Sequence, residues 1–483
     1  TDMPHTAWVP GTDPEFFAYA LARLGASHAH LQPRKKGRAL CEIYGAFGWA
    51  EGLPMMKWMT DHMLVNGINR FVPHAFSPKY PDTDCPPHFY ARGHHPQFPL
   101  FGRLMQYTQR MCHLFSGGGP VLSAAVLYNA EAEWCGGERM LFQKVLKALT
   151  RRQLNADVVP ADMLGTASVE NGRLVINHIP FSVLIVPYSE ILPQALLEAL
   201  AAVAAAGCPV VFADGLCRTT AEGGDARRFD PAFAVVPVDG LADWMQARGY
   251  ADITAQRPCP YLRFYHLHRG ENDIFLFFNE QSTPIDTVLT MPMCGAGVCY
   301  DAFDNTVSAA YAPEDGLPLQ LGAFGTCTLV FGPGCTAQEA VQPRGSVKPC
   351  AWRYTISLRD AGGEEWRLLA ADSPLFDVTS VQGEPRFGGT IRYETAFEAV
   401  DTDVPVWLDL GQVGETAEVT LNGVSCGVRI QVPYRFRLNG LKAGKNDLVI
   451  EVLNNPGHRE RDAFSAFLAM PPSGVLGPVQ WIE

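Results

Sequence analysis

The hydrophobic period of this chain changes once, near Pro258, and that change limits the folds open to it. Before it, short apolar runs alternate with amphipathic helical stretches, the pattern of parallel strands joined by crossover helices. After it, apolar residues recur at every second position between frequent turn residues, the pattern of antiparallel sandwiches. A chain of 483 residues should hold about three or four domains. The expected class is therefore multidomain, α/β followed by all-β.

Residues 1–119 read as a partial (β/α) barrel. Phe16–Leu24 is expected as helix, and Ser27–Gln32, Ala39–Tyr44 and Arg70–His74 as strands. The amphipathic run Leu53–Asn66, stopped by Gly67, makes a strand–helix–strand crossover with the last two. The Pro-rich loop 73–99 follows, then a helix over Leu100–Phe115. These strands are too few for eight, so the region is at most the second half of such a barrel. Either an incomplete barrel or association with another copy as a homo-oligomer is expected, because bare strand edges are rarely left uncovered.

The triple glycine Gly117–Gly119 marks a boundary. Residues 120–256 read as a flavodoxin-like α/β domain, with strands Val121–Tyr128, Val183–Val186 and Pro209–Phe212 and helices Met140–Gln153 and Pro193–Ala206. Its first strand ends in Asn129-Ala130-Glu131-Ala132-Glu133, without glycines to cradle a phosphate, so no nucleotide cofactor is expected. Residues 257–335 read as a small β-sandwich, Pro333–Pro349 as a linker, and 336–483 as a further all-β unit. In that last unit Asn422-Gly423 signals a tight hairpin, and Leu408, Leu410, Val419 and Leu421 should point inward.

A formal net charge of −12 argues against sequence-independent nucleic-acid binding, which needs cationic side chains to displace counterions. A neutral ligand such as an oligosaccharide fits better. Ala195–Ala213 is the nearest thing to a membrane span, but Glu198, Gly207 and Pro209 break it, so no membrane partner is expected. Thirteen scattered cysteines lack zinc or disulfide spacing, and a cytoplasmic protein with reduced thiols is expected. The chain opens at Thr1 in polar sequence, which leaves secretion open. His94-His95 lacks the spacing of a helical metal pair, and no metal site is assigned.

The chemistry concentrates in Cys41-Glu42-Ile43-Tyr44-Gly45-Ala46-Phe47-Gly48-Trp49. A carboxyl at a strand's C-terminal end, followed by glycines and flat rings, suits glycoside cleavage: an acid serves the glycosidic oxygen and rings stack on the pyranose. Glu42 is the first catalytic candidate, with Tyr44 and Trp49 as the platform. Glu131 and Glu133 are candidates for the second carboxylate, beside the indole of Trp134. His30, His74 and His88 are placed to bond sugar hydroxyls, and Asp84 to accept from them. The plainer readings are a strand end with core aromatics, a helix start at Glu131 and Glu133, and structural histidines.

The order of barrel, flavodoxin-like and small β domains resembles the family 42 β-galactosidases. The C-terminal run carries Gly389-Thr390-Ile391-Arg392-Tyr393, Leu408-Asp409-Leu410-Gly411, Ala417-Glu418-Val419-Thr420-Leu421-Asn422-Gly423, Pro433-Tyr434-Arg435-Phe436 and Ser473-Gly474-Val475-Leu476-Gly477-Pro478-Val479. It resembles the galactose-binding-like jelly roll of family 2 glycoside hydrolases and of family 106 α-L-rhamnosidases. Tyr44-Gly45-Ala46-Phe47-Gly48-Trp49 and Gly67-Ile68-Asn69-Arg70-Phe71-Val72-Pro73-His74 are similar to the later barrel strands of the same enzymes. The resemblance implies a glycoside hydrolase acting on oligosaccharides, α-L-rhamnosidase-like and inverting. The alternative is a truncated or degenerate relative that binds carbohydrate or assembles without turnover.

Overall fold

Alternate residues of one short strand sort into two different cores. In Ala124–Tyr128, Ala124 and Val126 pack with Val145, Leu146 and Leu149 of the helix Phe142–Thr150. Ala125 and Leu127 pack with Leu196, Leu197 and Leu200 of the helix Gln194–Ala205. A strand apolar on both faces belongs in the middle of a sheet covered by helices on each side. The five-stranded sheet has the order Ala234–Val236, Val210–Ala213, Val183–Val186, Ala124–Tyr128, Ala156–Pro160. All of its pairings are parallel.

The computed structural model describes residues 13–339, 346–400, 405–466 and 468–483. Residues 340–345 of the expected linker lie outside them. The chain is a mixed helix and many-sheet protein that divides into two compact units. The first comprises Thr1–Cys41, Asp61–Phe71 and Met111–Glu339, and the second Glu42–Thr60, Val72–Arg110 and Ala340–Glu483. The segment preceding the parallel sheet contains α1 (Ala22–Leu31), β1 (Leu40–Ile43), α2 (Leu53–Val65), β2 (Arg70–Pro73) and α3 (Phe98–Leu114). No helix among the described residues is long and apolar enough to cross a membrane.

Helix α1 corrects one expectation: Ser27–Gln32 is not a strand. The alternation His28-Ala29-His30-Leu31 imitates period two, but Ala22, Ala26 and Ala29 are buried at helical spacing. The polar members of α1 are used in the interior. Ser27 Oγ donates to Asp157 Oδ1 at 3.0 Å, His30 Nδ1 lies 2.9 Å from Asp157 Oδ2, and Tyr265 OH lies 3.2 Å from His30 Nε2. Burial pushes the Tyr265 phenol up, so it stays protonated beside the His30 ring.

In the first unit a six-stranded sheet and a three-stranded sheet enclose Phe275, Phe277, Leu289, Leu319 and Leu329. In the second, a six-stranded antiparallel sheet built around Gly389–Ala399 and Gly444–Leu453 shares a core with a four-stranded sheet that contains Trp407–Asp409 and Gln480–Ile482. Leu408, Leu410, Val419 and Leu421 are all fully buried there. Asn422 and Gly423 have φ of 51° and 79°, as a two-residue type I′ turn requires, and Leu421 pairs directly with Val424.

Asp157 is completely buried, bonds Ser27 and His30 and lies 4.0 Å from the buried Arg23 guanidinium, all in the first unit, so removing it strands buried donors. Asp157→Ala should cost about 3–5 kcal/mol, as expected when one member of a buried ionic network is lost. Urea unfolding followed by a probe in the first unit would measure it, and an unchanged midpoint would contradict the structural role given to Asp157.

Candidate active site

Glu42 is the third residue of β1, exposed, with buried Ile43 after it. Strand β1 runs parallel to β2: Arg70 N–H donates to Ala39 O at 3.0 Å and His74 N–H to Ile43 O at 2.8 Å, the same step on both strands. Glu42 therefore stands near the C-terminal end of a parallel strand, on its open side. Val72 of β2 is 49% exposed, and His74 follows immediately after that strand, half-buried. The chain after β1 turns sharply, with positive φ at Tyr44, Ala46 and Gly48. A Cβ on Gly45 would lie 2.9 Å from His74 Nδ1, so only glycine lets the turn pass so close to that ring.

The aromatic residues after Glu42 face inward. Tyr44 is buried, shares a hydrogen bond with Thr60 Oγ1 and meets Phe89 edge-on at 5.9 Å. Trp49 is buried too, its indole 5.8 Å from the His88 ring and 6.2 Å from the His95 ring. The open ring is Phe76, which is 62% exposed and stacked on Tyr90 at 5.4 Å with an interplanar angle of 6°. Asp84 is exposed, and its amide donates to Asp82 Oδ1 at 3.2 Å.

The same unit holds two further carboxyls that the sequence does not advertise, one buried and one half-buried. Glu51 is fully buried, with neither oxygen hydrogen-bonded, and desolvation pushes its carboxyl well above the usual range. Glu415 is held by Gln97 Nε2 at 2.6 Å and Asn455 Nδ2 at 2.9 Å, and burial still raises it. His95 Nδ1 accepts from the Gln97 amide at 3.2 Å, leaving its Nε2 the protonated nitrogen, without a partner. Burial lowers this imidazole to about 4, so it is neutral at physiological pH. Both ring nitrogens of His88 are buried and lack hydrogen bonds, although Asp82 Oδ2 is 3.9 Å from Nε2.

The second unit thus holds Glu42, Tyr44, Trp49, His74, Asp84 and His88. His30, Glu131, Glu133 and Trp134 belong to the first unit. His30 is committed to Asp157 and Tyr265. Glu131 and Glu133 sit in the first turn of the short helix Ala130–Cys135, where carboxylates favour the helix dipole, and Trp134 is 80% exposed. Sequence reasoning missed Glu51, Gln97, Glu415 and Phe76. A glutamate just before a helix looks like an ordinary N-terminal acid, and nothing local marks it as buried. Among the described residues, no group of three or more His, Cys, Asp or Glu side chains is arranged to hold a metal ion.

No family profile and no curated protein matches the sequence. Among solved structures, the chain is similar to a rhamnosidase from Novosphingobium sp. PP1Y, with a TM-score of 0.72 and 19% identity over 96% of this chain and 49% of that one. It therefore spans about half the length of that enzyme. Weaker likenesses are to Gan42B, a GH42 β-galactosidase from G. stearothermophilus (TM-score 0.47, 9% identity, 68% of this chain and 58% of that one). Another is to the β-galactosidase from Rahnella sp. R3 (TM-score 0.43, 12% identity, 65% and 57%). These neighbours are glycoside hydrolases, and at such identities the likeness to the rhamnosidase is one of fold.

Glu51 and Glu415 both bind protons more tightly when folded than when unfolded, so folding takes up protons. Their contribution is whole below about pH 4.5 and is lost as pH rises through the folded-state values. Glu51→Gln, which keeps a neutral side chain at every pH, should exceed the unsubstituted chain in thermal midpoint at pH 8 and not at pH 4. Parallel melting curves of the two proteins at both pH values would sink this assignment.

Proposed function

We propose that the chain is part of a glycoside hydrolase in which Glu42 is one catalytic carboxylate, acting on oligosaccharides with an α-L-rhamnoside-like specificity. The observation that carries the reading is the placement of Glu42, exposed near the C-terminal end of a parallel strand with the next residue buried. Sites of barrel enzymes are built on that face. On this reading residues 1–119 are a partial (β/α) barrel and 120–256 a flavodoxin-like domain. The strand order of its parallel sheet, second–first–third–fourth–fifth in chain order, supports the latter. Residues 257–335 would be a small β-sandwich and 336–483 a jelly roll of the galactose-binding type.

Glycoside cleavage needs one carboxyl to protonate the leaving oxygen and another to act as nucleophile or to activate water. Glu42 supplies one of these groups. His74, which follows the neighbouring strand, is the donor for a sugar hydroxyl. Phe76, backed by Tyr90, offers the open ring face that Tyr44 and Trp49 do not. Glu131 or Glu133 remains the proposed second carboxylate, with Trp134 beside it. Asp84 and His88 remain proposed as polar contacts, and His30 is placed further from that role by its bonds to Asp157 and Tyr265.

Glu42→Gln keeps the shape of the side chain but removes its charge and proton. It should lower turnover of an aryl α-L-rhamnoside by about 10²–10⁴-fold while leaving the thermal midpoint unchanged. Full activity in that variant would end the assignment of Glu42. An unsubstituted chain inert toward a panel of aryl glycosides would instead favour a non-catalytic carbohydrate-binding role.

A further inference from the structure

The turn after β1 is fastened from a segment more than 400 residues later in the same unit. Asp462 Oδ2 accepts the Trp49 amide at 2.9 Å. The Ser465 hydroxyl accepts the Ala50 amide at 2.9 Å and itself donates to Asp462 Oδ2 at 2.7 Å. The Ser465 amide donates to Asp462 Oδ1 at 2.7 Å, so one carboxylate organises both anchors. From the other side Asn455 Nδ2 donates to Ala50 O at 2.8 Å. Gly48 fits this clasp closely: with φ of 82°, its absent Cβ would lie 2.0 Å from Ser465 Oγ and 2.6 Å from Asp462 Oδ1. A few residues away, Glu460 accepts the Tyr80 hydroxyl, and the Tyr80 ring stacks on His94 at 4.1 Å. One segment, 455–465, therefore holds both the turn after β1 and the loop after β2.

We propose that Asp462 is a positioning residue for the Glu42 site: through Ser465 it fixes the Trp49–Ala50 backbone, and with it the turn that leaves Glu42. This makes the C-terminal β unit a structural part of the site rather than a detachable sugar-binding module. The inference rests on the reading of Glu42 as a catalytic carboxylate. Hydrogen bonds to an ionised carboxylate are stronger than neutral ones, and three of them converge on Asp462. Small errors in the placement of a catalytic group are costly in rate, so loosening this turn should act on turnover more than on substrate binding.

The test compares the unsubstituted chain with D462N, S465A and E42Q by amide hydrogen exchange and by kinetics on an aryl α-L-rhamnoside. D462N and S465A should each speed exchange at Trp49 and Ala50 at least about tenfold and lower kcat by about tenfold, with KM within about twofold and the thermal midpoint little changed. E42Q should lower turnover by about 10²–10⁴-fold without altering exchange at those amides, which separates the two ideas. Unchanged exchange in both D462N and S465A would overturn the clasp. Faster exchange with full kcat would overturn the positioning role and leave Asp462 merely structural. Full turnover in E42Q would overturn the catalytic reading and the positioning role that depends on it, whatever the exchange shows.

Discussion

Glu415 is a half-buried carboxyl, and much of the second unit is tied together by the way its two oxygens are satisfied. Its two oxygens take the side-chain amides of Gln97 and Asn455. Gln97 in turn offers its Oε1 to the Leu53 amide at 2.7 Å, satisfying one of the donors left free at the start of α2. Asn455 also holds Ala50 O. Beside it Asn454 bonds Gly389 N and Phe387 O, at the start of the long strand Gly389–Ala399. Helix start, strand start and the turn after β1 thus share one buried network. Partial satisfaction would be costly in an interior of low dielectric, so the elements are fixed together or not at all.

Much of the fold could be read from the sequence because its cores are periodic. The inward set Leu408, Leu410, Val419 and Leu421 follows from alternation, and the Asn422-Gly423 hairpin from the left-handed backbone that both residues tolerate. The reading failed where periods are short or polar residues are buried. Ala156–Pro160 is a five-residue strand carrying an aspartate, so it gives little apolar signal. It is nevertheless an edge of the parallel sheet, and its Asp157 anchors Ser27 and His30. The same burial of polar side chains made α1 look like alternation, since a helix whose buried face includes serine and histidine hides its period.

The site was legible to the same degree and for the same reason. A glutamate late in a strand announces which end of the strand it occupies, and Glu42 is found there. Sequence cannot say which face a ring takes after a turn with three positive φ values, and here the turn folds Tyr44 and Trp49 inward. Phe76 gave no signal because it is one of several aromatics scattered without period through a Pro-rich loop; its stacking on Tyr90 distinguishes it from an accidental surface residue.

The unit contains several carboxyls, and their environments decide what each can do. Glu51 has the raised proton affinity usually sought in a general acid, and on that ground alone it would be preferred. Reach argues the other way. A general acid must come within hydrogen-bonding distance of the glycosidic oxygen, and a side chain with no exposed surface has no such path. Glu415 is excluded likewise, since both its oxygens are occupied by Gln97 and Asn455. Glu42 is exposed, stands on a strand that fixes its backbone, and leads into a turn held by Asp462 and Ser465. Geometry therefore ranks it above the group with the more unusual proton affinity: Glu51 and Glu415 belong to the framework, and Glu42 to the surface that framework holds in place.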